Sequence, residues 1–208
     1  MNQYVGQNSG QIVNKAKSSV YLGKCARARA VSIRHILGIR EGSLPFMYLG
    51  VPVFQGRPRM RYFQSIADKV RNKLSSWKGR LLSQAARGQL ISSVIQGILV
   101  YSFQIYEWPS TLLKKVQGWM RNFFWSGDCL KRGSTLVAWS DCCLPKKEGG
   151  LGLKNIFSLN RSLLLKRCWD MASGDSPSSI FLRNRFLKCG LQPKKSYQMS
   201  SVWLGLKK

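Results

Sequence analysis

Nucleotidyl transfer or hydrolysis by two metal ions needs two or three carboxylates converging on ions about 3.5–4 Å apart. The chain has eight acidic residues, Glu41, Asp68, Glu107, Asp128, Asp141, Glu148, Asp170 and Asp175, none adjacent and none spaced as DxD. Its single histidine, His35, sits in no catalytic motif, and no serine occupies a GxSxG elbow. Of the six cysteines, Cys25, Cys129, Cys142, Cys143, Cys168 and Cys189, none forms a CxxC pair, and the side chains of the neighbours Cys142 and Cys143 should diverge. Structural zinc usually takes two closely spaced ligands twice over. The expectation is no catalytic residue, no metal ligand and no cofactor, with the thiols buried or free in a reducing compartment.

What remains for chemistry is cationic. Lys plus Arg number 34 against 8 for Asp plus Glu, a formal net charge of +26 and a pI near 10.5. An excess of that size repels itself in a folded chain and is relieved by a polyanion, usually nucleic acid. An anionic membrane competes for the same charge. Yet no apolar run reaches the ~20 residues of a spanning helix, and the cations are spread along the whole chain. The opening MNQYVGQNSGQ lacks the apolar core of a signal peptide, so the expected location is intracellular, the nucleus included, and not secreted.

Two basic groups stand out. In QGRPRMR (Gln55 to Arg61), Arg57, Arg59 and Arg61 can fork onto phosphate oxygens. Lys78, Arg80 and Arg87 lie ahead of a helix start and on its first turn, where the positive end of the helix dipole makes cations unfavourable unless an anion binds. A solvated basic loop and an ordinary core helix with a basic surface fit the same residues.

The elements that must hold these groups follow from periodicity. Hydrophobic residues make up 44% of the chain, which argues for a packed core. Leu74 to Pro109 contains a long helix capped by Ser83, with Ala86, Leu90, Val94, Ile98, Tyr101 and Ile105 expected on its buried face and an end near Glu107 or Trp108, ahead of Pro109. Before it, Phe63, Ile66, Val70, Leu74 and Trp77 mark an amphipathic helix whose other face holds Lys69, Arg71, Asn72 and Lys73. After it, Leu112, Leu113, Val116, Met120, Phe123 and Phe124 form the stripe of a helix capped by Ser110 and stopped at Gly127. Trp119, Phe123, Phe124 and Trp125 are expected to pack rather than stack on bases.

Shorter signals fill the rest. Ser19 to Leu22 reads as a strand, Ala30, Ile33 and Leu37 as a helix, and FMYLGVPV (Phe46 to Val53) as an edge or bent hairpin strand. The glycines Gly149, Gly150 and Gly152 read as a turn, lacking the context of a phosphate-cradling loop. Helical order returns at Ile156, Leu159, Leu163, Leu164 and Trp169, and again at Ile180, Phe181 and Phe186, before a polar tail from Cys189 expected to be loosely held.

The succession SGQIVNKAKS (Ser9 to Ser18), FMYLGVPV, LSSWKGRLLSQAARGQLISSVI (Leu74 to Ile95), FFWSG (Phe123 to Gly127) and WSDCCLPKKEGGLGL (Trp139 to Leu153) resembles plant LINE-type non-LTR retrotransposon reverse transcriptases, an RNA-directed DNA polymerase family. The resemblance runs across nearly all of Ser9 to Lys188, in the family's order. It implies a fragment lacking the catalytic aspartates and fingers. Residues 1–56 would be a palm-edge remnant with short strands and one helix, 57–128 a thumb-like helical region, and 129–208 a connector-like helical region with a loose tail. It further implies a primer-grip-like contact at Tyr48, Leu49 and Gly50 and duplex-backbone contacts from Lys78, Arg80 and Arg87. Mg²⁺ would be required only by a full-length relative.

The combined expectation is a mainly α protein with a small β element (α+β), a helical thumb-like bundle after a short sheet or hairpin. It would be non-catalytic by itself and hold an RNA or DNA duplex backbone without sequence preference. Strands deprived of a palm sheet would leave 1–56 less stable than the helices that follow. Two rivals stand beside this: part of a polymerase active only with a separate catalytic half, and a transposon relic with no evolved function.

Overall fold

The computed structural model describes residues 13–22, 27–188, 192, 194, 201 and 202. The expectations for the SGQ block before residue 13, and for Cys25 and Cys189, lie outside them. The chain divides into two units, Met1–Phe46 and Met47–Lys208.

In the first unit, β1 (Ser19–Val20) pairs in parallel with β2 (Arg40–Glu41), Ser19 opposite Arg40 and Val20 opposite Glu41, and helix α1 (Arg27–Leu37) makes the crossover. No residue of α1 is buried, and Val31 and Ile36 face solvent. What fixes the unit is polar and aromatic: Arg34 pairs with Glu41 at 3.2 Å, and Tyr21 stacks on Phe46 with ring centroids 3.7 Å apart. Gly42 lies so close under Tyr21 that a Cβ there would stand 2.4 Å from the ring.

A hairpin, β3 (Phe46–Tyr48) and β4 (Val51–Val53), starts on the last residue of the first unit and opens the second, followed by α2 (Met60–Ser76). Both turn residues have positive φ, Leu49 at 48° and Gly50 at 83°, the pattern of a two-residue type I′ hairpin. Glycine adopts that conformation freely; for Leu49 it is strained. A long helix follows as α3 (Gln84–Leu90), a π-helical turn (Ile91–Ile95) and α4 (Gln96–Phe103). Then come α5 (Ser110–Ser126), the short α6 (Trp139–Cys142), α7 (Ile156–Ser173) and α8 (Pro177–Phe186). The protein is mainly α with a small β element, as expected.

The core is an up-down-up trio, α2, α3–α4 and α5, closed by α7. Thr111 Oγ1 meets Met60 Sδ at the start of α5 and α2, and Trp77 meets Phe123 at their ends, so these two helices run the same way. Phe63, Val70 and Leu74 of α2 interlock with Leu112, Met120 and Phe123 of α5 and with Ile91, Ile95 and Leu99 between them, all fully buried. On α5 every stripe residue named from the sequence is buried, and Gly127 terminates it in the left-handed conformation at φ 74°.

Elsewhere the structure corrects the sequence reading. The long helix buries Ile91, Ile95, Leu99 and Phe103, whereas Tyr101 faces solvent and Ala86, Val94 and Ile98 are half-buried. Its outward stripe is Ala85, Gln89, Ser93, Gly97 and Tyr101, and only the α4 segment is apolar nearly all round, so periodicity there could not single out one face, while the π turn rotates the register. Ser83 caps it as expected, accepting from Ala86 N–H, but the α-helix stops at Phe103. Pro109, not Ser110, is the cap position of α5, with no side-chain hydrogen bond there. On α7, Trp169 is 72% exposed, and the buried positions are Ile156, Asn160, Leu164 and Met171.

Val51 and Phe54 sink into the helical core of the second unit. Trp139, Leu153 and Ile156 belong to the same core cluster as the buried residues of α2. Asn160 is the pin: its Oδ1 accepts Trp108 N–H at 3.1 Å while its Nδ2 donates to the carbonyls of Phe103 at 3.1 Å and Tyr106 at 2.9 Å. Of the tail expected to be loose, Ser201 is buried and donates to the Phe54 carbonyl at 3.1 Å, and Val202 packs on the core.

Candidate nucleic-acid interface

The loop between α2 and α3 is shaped by two glycines. Gly79 and Gly127 meet backbone to backbone, and a Cβ on Gly79 would stand 2.4 Å from Gly127 O. That approach lets a 3₁₀ turn (Gly79–Leu81) tuck against the end of α5. The cavity left beside it, about 510 Å³, is lined by Trp77, Lys78, Arg80, Gly127, Asp128 and Leu130 among others.

Lys78 and Arg80 are exposed at this groove. Arg80 reaches Asp128 at only 4.0 Å, with its side chain 65% exposed, so the ion pair leaves the guanidinium available. Lys73 joins them: its Nζ lies 5.7 Å from the centre of the Trp77 ring, which covers Phe123 from outside. Farther along the same α2–α5 seam, Arg71 and Lys115 both approach the Trp119 ring, at 6.0 and 5.7 Å. Each lysine lies one turn before its aromatic on the same helix, Lys73 before Trp77 and Lys115 before Trp119, an i,i+4 spacing that local sequence carries.

Arg87 does something else. Its Nε donates to the carbonyls of Gly79 at 2.8 Å and Leu82 at 3.2 Å, and its Nη1 to those of Phe124 at 3.1 Å and Trp125 at 3.2 Å. The last carbonyls of a helix lack intrahelical partners and carry its negative end, so a guanidinium there is a C-terminal cap. The structure thus separates Arg87 from Lys78 and Arg80 in role, though not in place.

The other basic group, Arg57, Arg59 and Arg61, is exposed at the start of α2. Arg61 Nη2 donates to Tyr62 Oη at 3.2 Å, and its guanidinium lies 5.0 Å from the Tyr62 ring centre. Tyr62 in turn stacks on Phe54 at 4.4 Å. A 17-residue helix is about 25 Å long, so the two basic groups sit at opposite ends of α2. The hairpin tip carries Tyr48 and Leu49 outward, 61% and 73% exposed, beside Gly50.

Among the described residues no cluster of three or more His, Cys, Asp or Glu could hold a metal ion. Burial raises the pKa of Cys142, Cys143 and Cys168; Cys143 is pushed up to about 11, by desolvation first and by its neighbour Cys142 second. No helix among the described residues is long and apolar enough to cross a membrane.

No protein-family profile matches the chain. It is 35% identical over 119 residues to an Arabidopsis thaliana protein named "Putative ribonuclease H protein", a match that takes in 57% of this chain and 19% of that protein. It is 29% identical over 111 residues to a second Arabidopsis thaliana protein, named "Uncharacterized mitochondrial protein", across 50% of this chain and 72% of that one. The chain therefore spans about a fifth of the length of the first relative.

Proposed function

We propose that this is a retrotransposon-derived, reverse-transcriptase-related protein whose second unit holds a nucleic-acid duplex by its backbone and does no chemistry by itself. The observation that carries the reading is the groove at Trp77–Leu81, where exposed Lys78 and Arg80 stand beside Lys73 with only one weakly engaged carboxylate, Asp128, among them. A similar protein named for a ribonuclease acting on nucleic acid supports the same class of ligand.

Phosphates of B-DNA recur every 3.4 Å along each strand. A duplex laid along α2 would therefore meet the arginines at its start and the lysine–arginine pair at its end. The hairpin tip, with Tyr48 and Leu49 turned outward, would lie against the strand at the Arg57–Arg61 end. Cations on exposed, flexible side chains neutralise phosphates without reading bases, so binding should be indifferent to sequence.

The test is a salt titration of duplex affinity. About six phosphate contacts give a slope of log affinity against log salt near −5 on B-DNA. An affinity insensitive to salt, or none for any duplex, would end the proposal. With Mg²⁺ present, purified protein is expected to extend no primer.

A further inference from the structure

Helix α1 stands uncovered in the first unit. None of its residues is buried, and the half-buried ones, Ala30, Ile33 and Leu37, all lie on one side. Isolated helices shorter than ~12–15 residues are marginal in water, and packing supplies most helical stability. With 11 residues and no buried face, α1 falls short of both and is a segment that a ligand can complete.

Its charges say which kind. Glu41 is the only acid of the unit, and Arg34 already engages it at 3.2 Å. Arg27 and Arg29 make no hydrogen bond or ion pair among the described residues. At about 100° per residue they stand to either side of Ala28, opposite the half-buried face, and Arg34 falls in line with Arg27 two turns on. Ser32 continues the Ala28 row, its Oγ donating back to the Ala28 carbonyl at 3.1 Å. The outward face is a low ridge of small side chains between two rims of guanidinium.

From this we infer that α1 is a second nucleic-acid site, entering the major groove of B-form DNA with a guanidinium rim against each phosphate wall. That groove is ~12 Å wide and a helix with its side chains ~10–12 Å across, so the two fit where the ridge between the rims is low. The deep, narrow major groove of double-stranded RNA does not admit it. Arginine forks onto phosphate, while Ala28 and Ser32 reach few base edges, so the site selects a duplex geometry rather than a sequence. It uses residues separate from the groove at Lys78 and adds a DNA-selective contact to the holding proposed there.

The experiment follows amide hydrogen exchange of the full chain alone, with a DNA duplex, and with an RNA duplex of the same sequence. At duplex about tenfold above Kd, DNA should slow exchange across Arg27–Leu37 about tenfold, and RNA should not. In salt titrations, Arg27→Ala with Arg29→Ala should weaken DNA binding at least about tenfold and lower the slope by about 2, leaving RNA-duplex binding unchanged. Arg40→Ala removes an exposed cation of the same unit from β2 and should change neither. Slowing confined to the second unit, equal effects with RNA, or an Arg40→Ala loss as large per charge as that from the helix overturns the inference and leaves the Lys78 groove standing. A parent chain that binds no duplex overturns both.

Discussion

Arg87 Nη1 donates to the carbonyl oxygen of Phe124 at 3.1 Å across 37 residues of sequence. With its bonds to Gly79, Leu82 and Trp125, that single guanidinium ties the loop after α2 to the end of α5. Hydrogen bonds from a charged group are worth about 1.5–3 kcal/mol each but do not add, so Arg87→Ala should cost roughly 3 kcal/mol. Arg87→Lys should recover little of it, because an ammonium cannot reproduce the planar fork. Urea unfolding reads both, and the salt slope of duplex binding should stay unchanged in whichever variant remains folded.

Lys78→Ala and Arg80→Ala are expected to do the reverse. Both side chains are exposed, and the Arg80–Asp128 pair at 4.0 Å is a surface ion pair, so stability should move by less than about 0.5 kcal/mol. Each loss should weaken duplex binding evenly across sequences and reduce the salt slope by about 1. An affinity unchanged in the double variant would remove this groove from the interface.

Asn160 fills three backbone hydrogen-bonding positions at once while buried. Asn160→Ala leaves the Trp108 N–H and the carbonyls of Phe103 and Tyr106 without partners at the corner between α4 and α5. At about 1–3 kcal/mol for a buried unsatisfied group, the midpoint of thermal unfolding should fall by many degrees. Asn160→Leu, similar in volume and unable to bond, should do no better.

Stability should also decline in alkali. The Cys143 thiol ionises near its ordinary 9.0 in the unfolded chain but is held up to about 11 when folded, by desolvation and then by Cys142. Between those values the unfolded state binds fewer protons than the folded one, so stability is fully present below pH 9 and drains away as pH rises towards 11. The same shift makes the native thiol a poor nucleophile at pH 8. Iodoacetamide should modify Cys143 slowly in the folded chain and readily in urea.

Helix α5 was legible in the sequence because it buries one side only and ends on a glycine that must adopt positive φ; so was the Ser83 cap, which needs only its own hydroxyl and a nearby N–H. The register of α3–α4 was not, because α4 is apolar on several faces and the π turn before it shifts the phase of the stripe. The role of Arg87 was hidden for another reason: its partners Phe124 and Trp125 lie in a different helix, and a cation at a helix start looks alike whether it awaits a phosphate or a carbonyl. Lys78 and Arg80 could be named from the sequence, but their grouping with Asp128 depends on the Gly79–Gly127 contact, which no local spacing records.

The hydrogen bond from Ser201 to the Phe54 carbonyl spans 147 positions. A ribosome adding ~5–20 residues each second needs about 7–30 seconds to travel from one to the other. For that interval the nascent Phe54 carbonyl lacks its final partner, although the α2 and α3 segments that carry the exposed cations have already been made. The bundle of α2, α3–α4 and α5 is therefore complete in sequence well before the contact that closes over Phe54 can form.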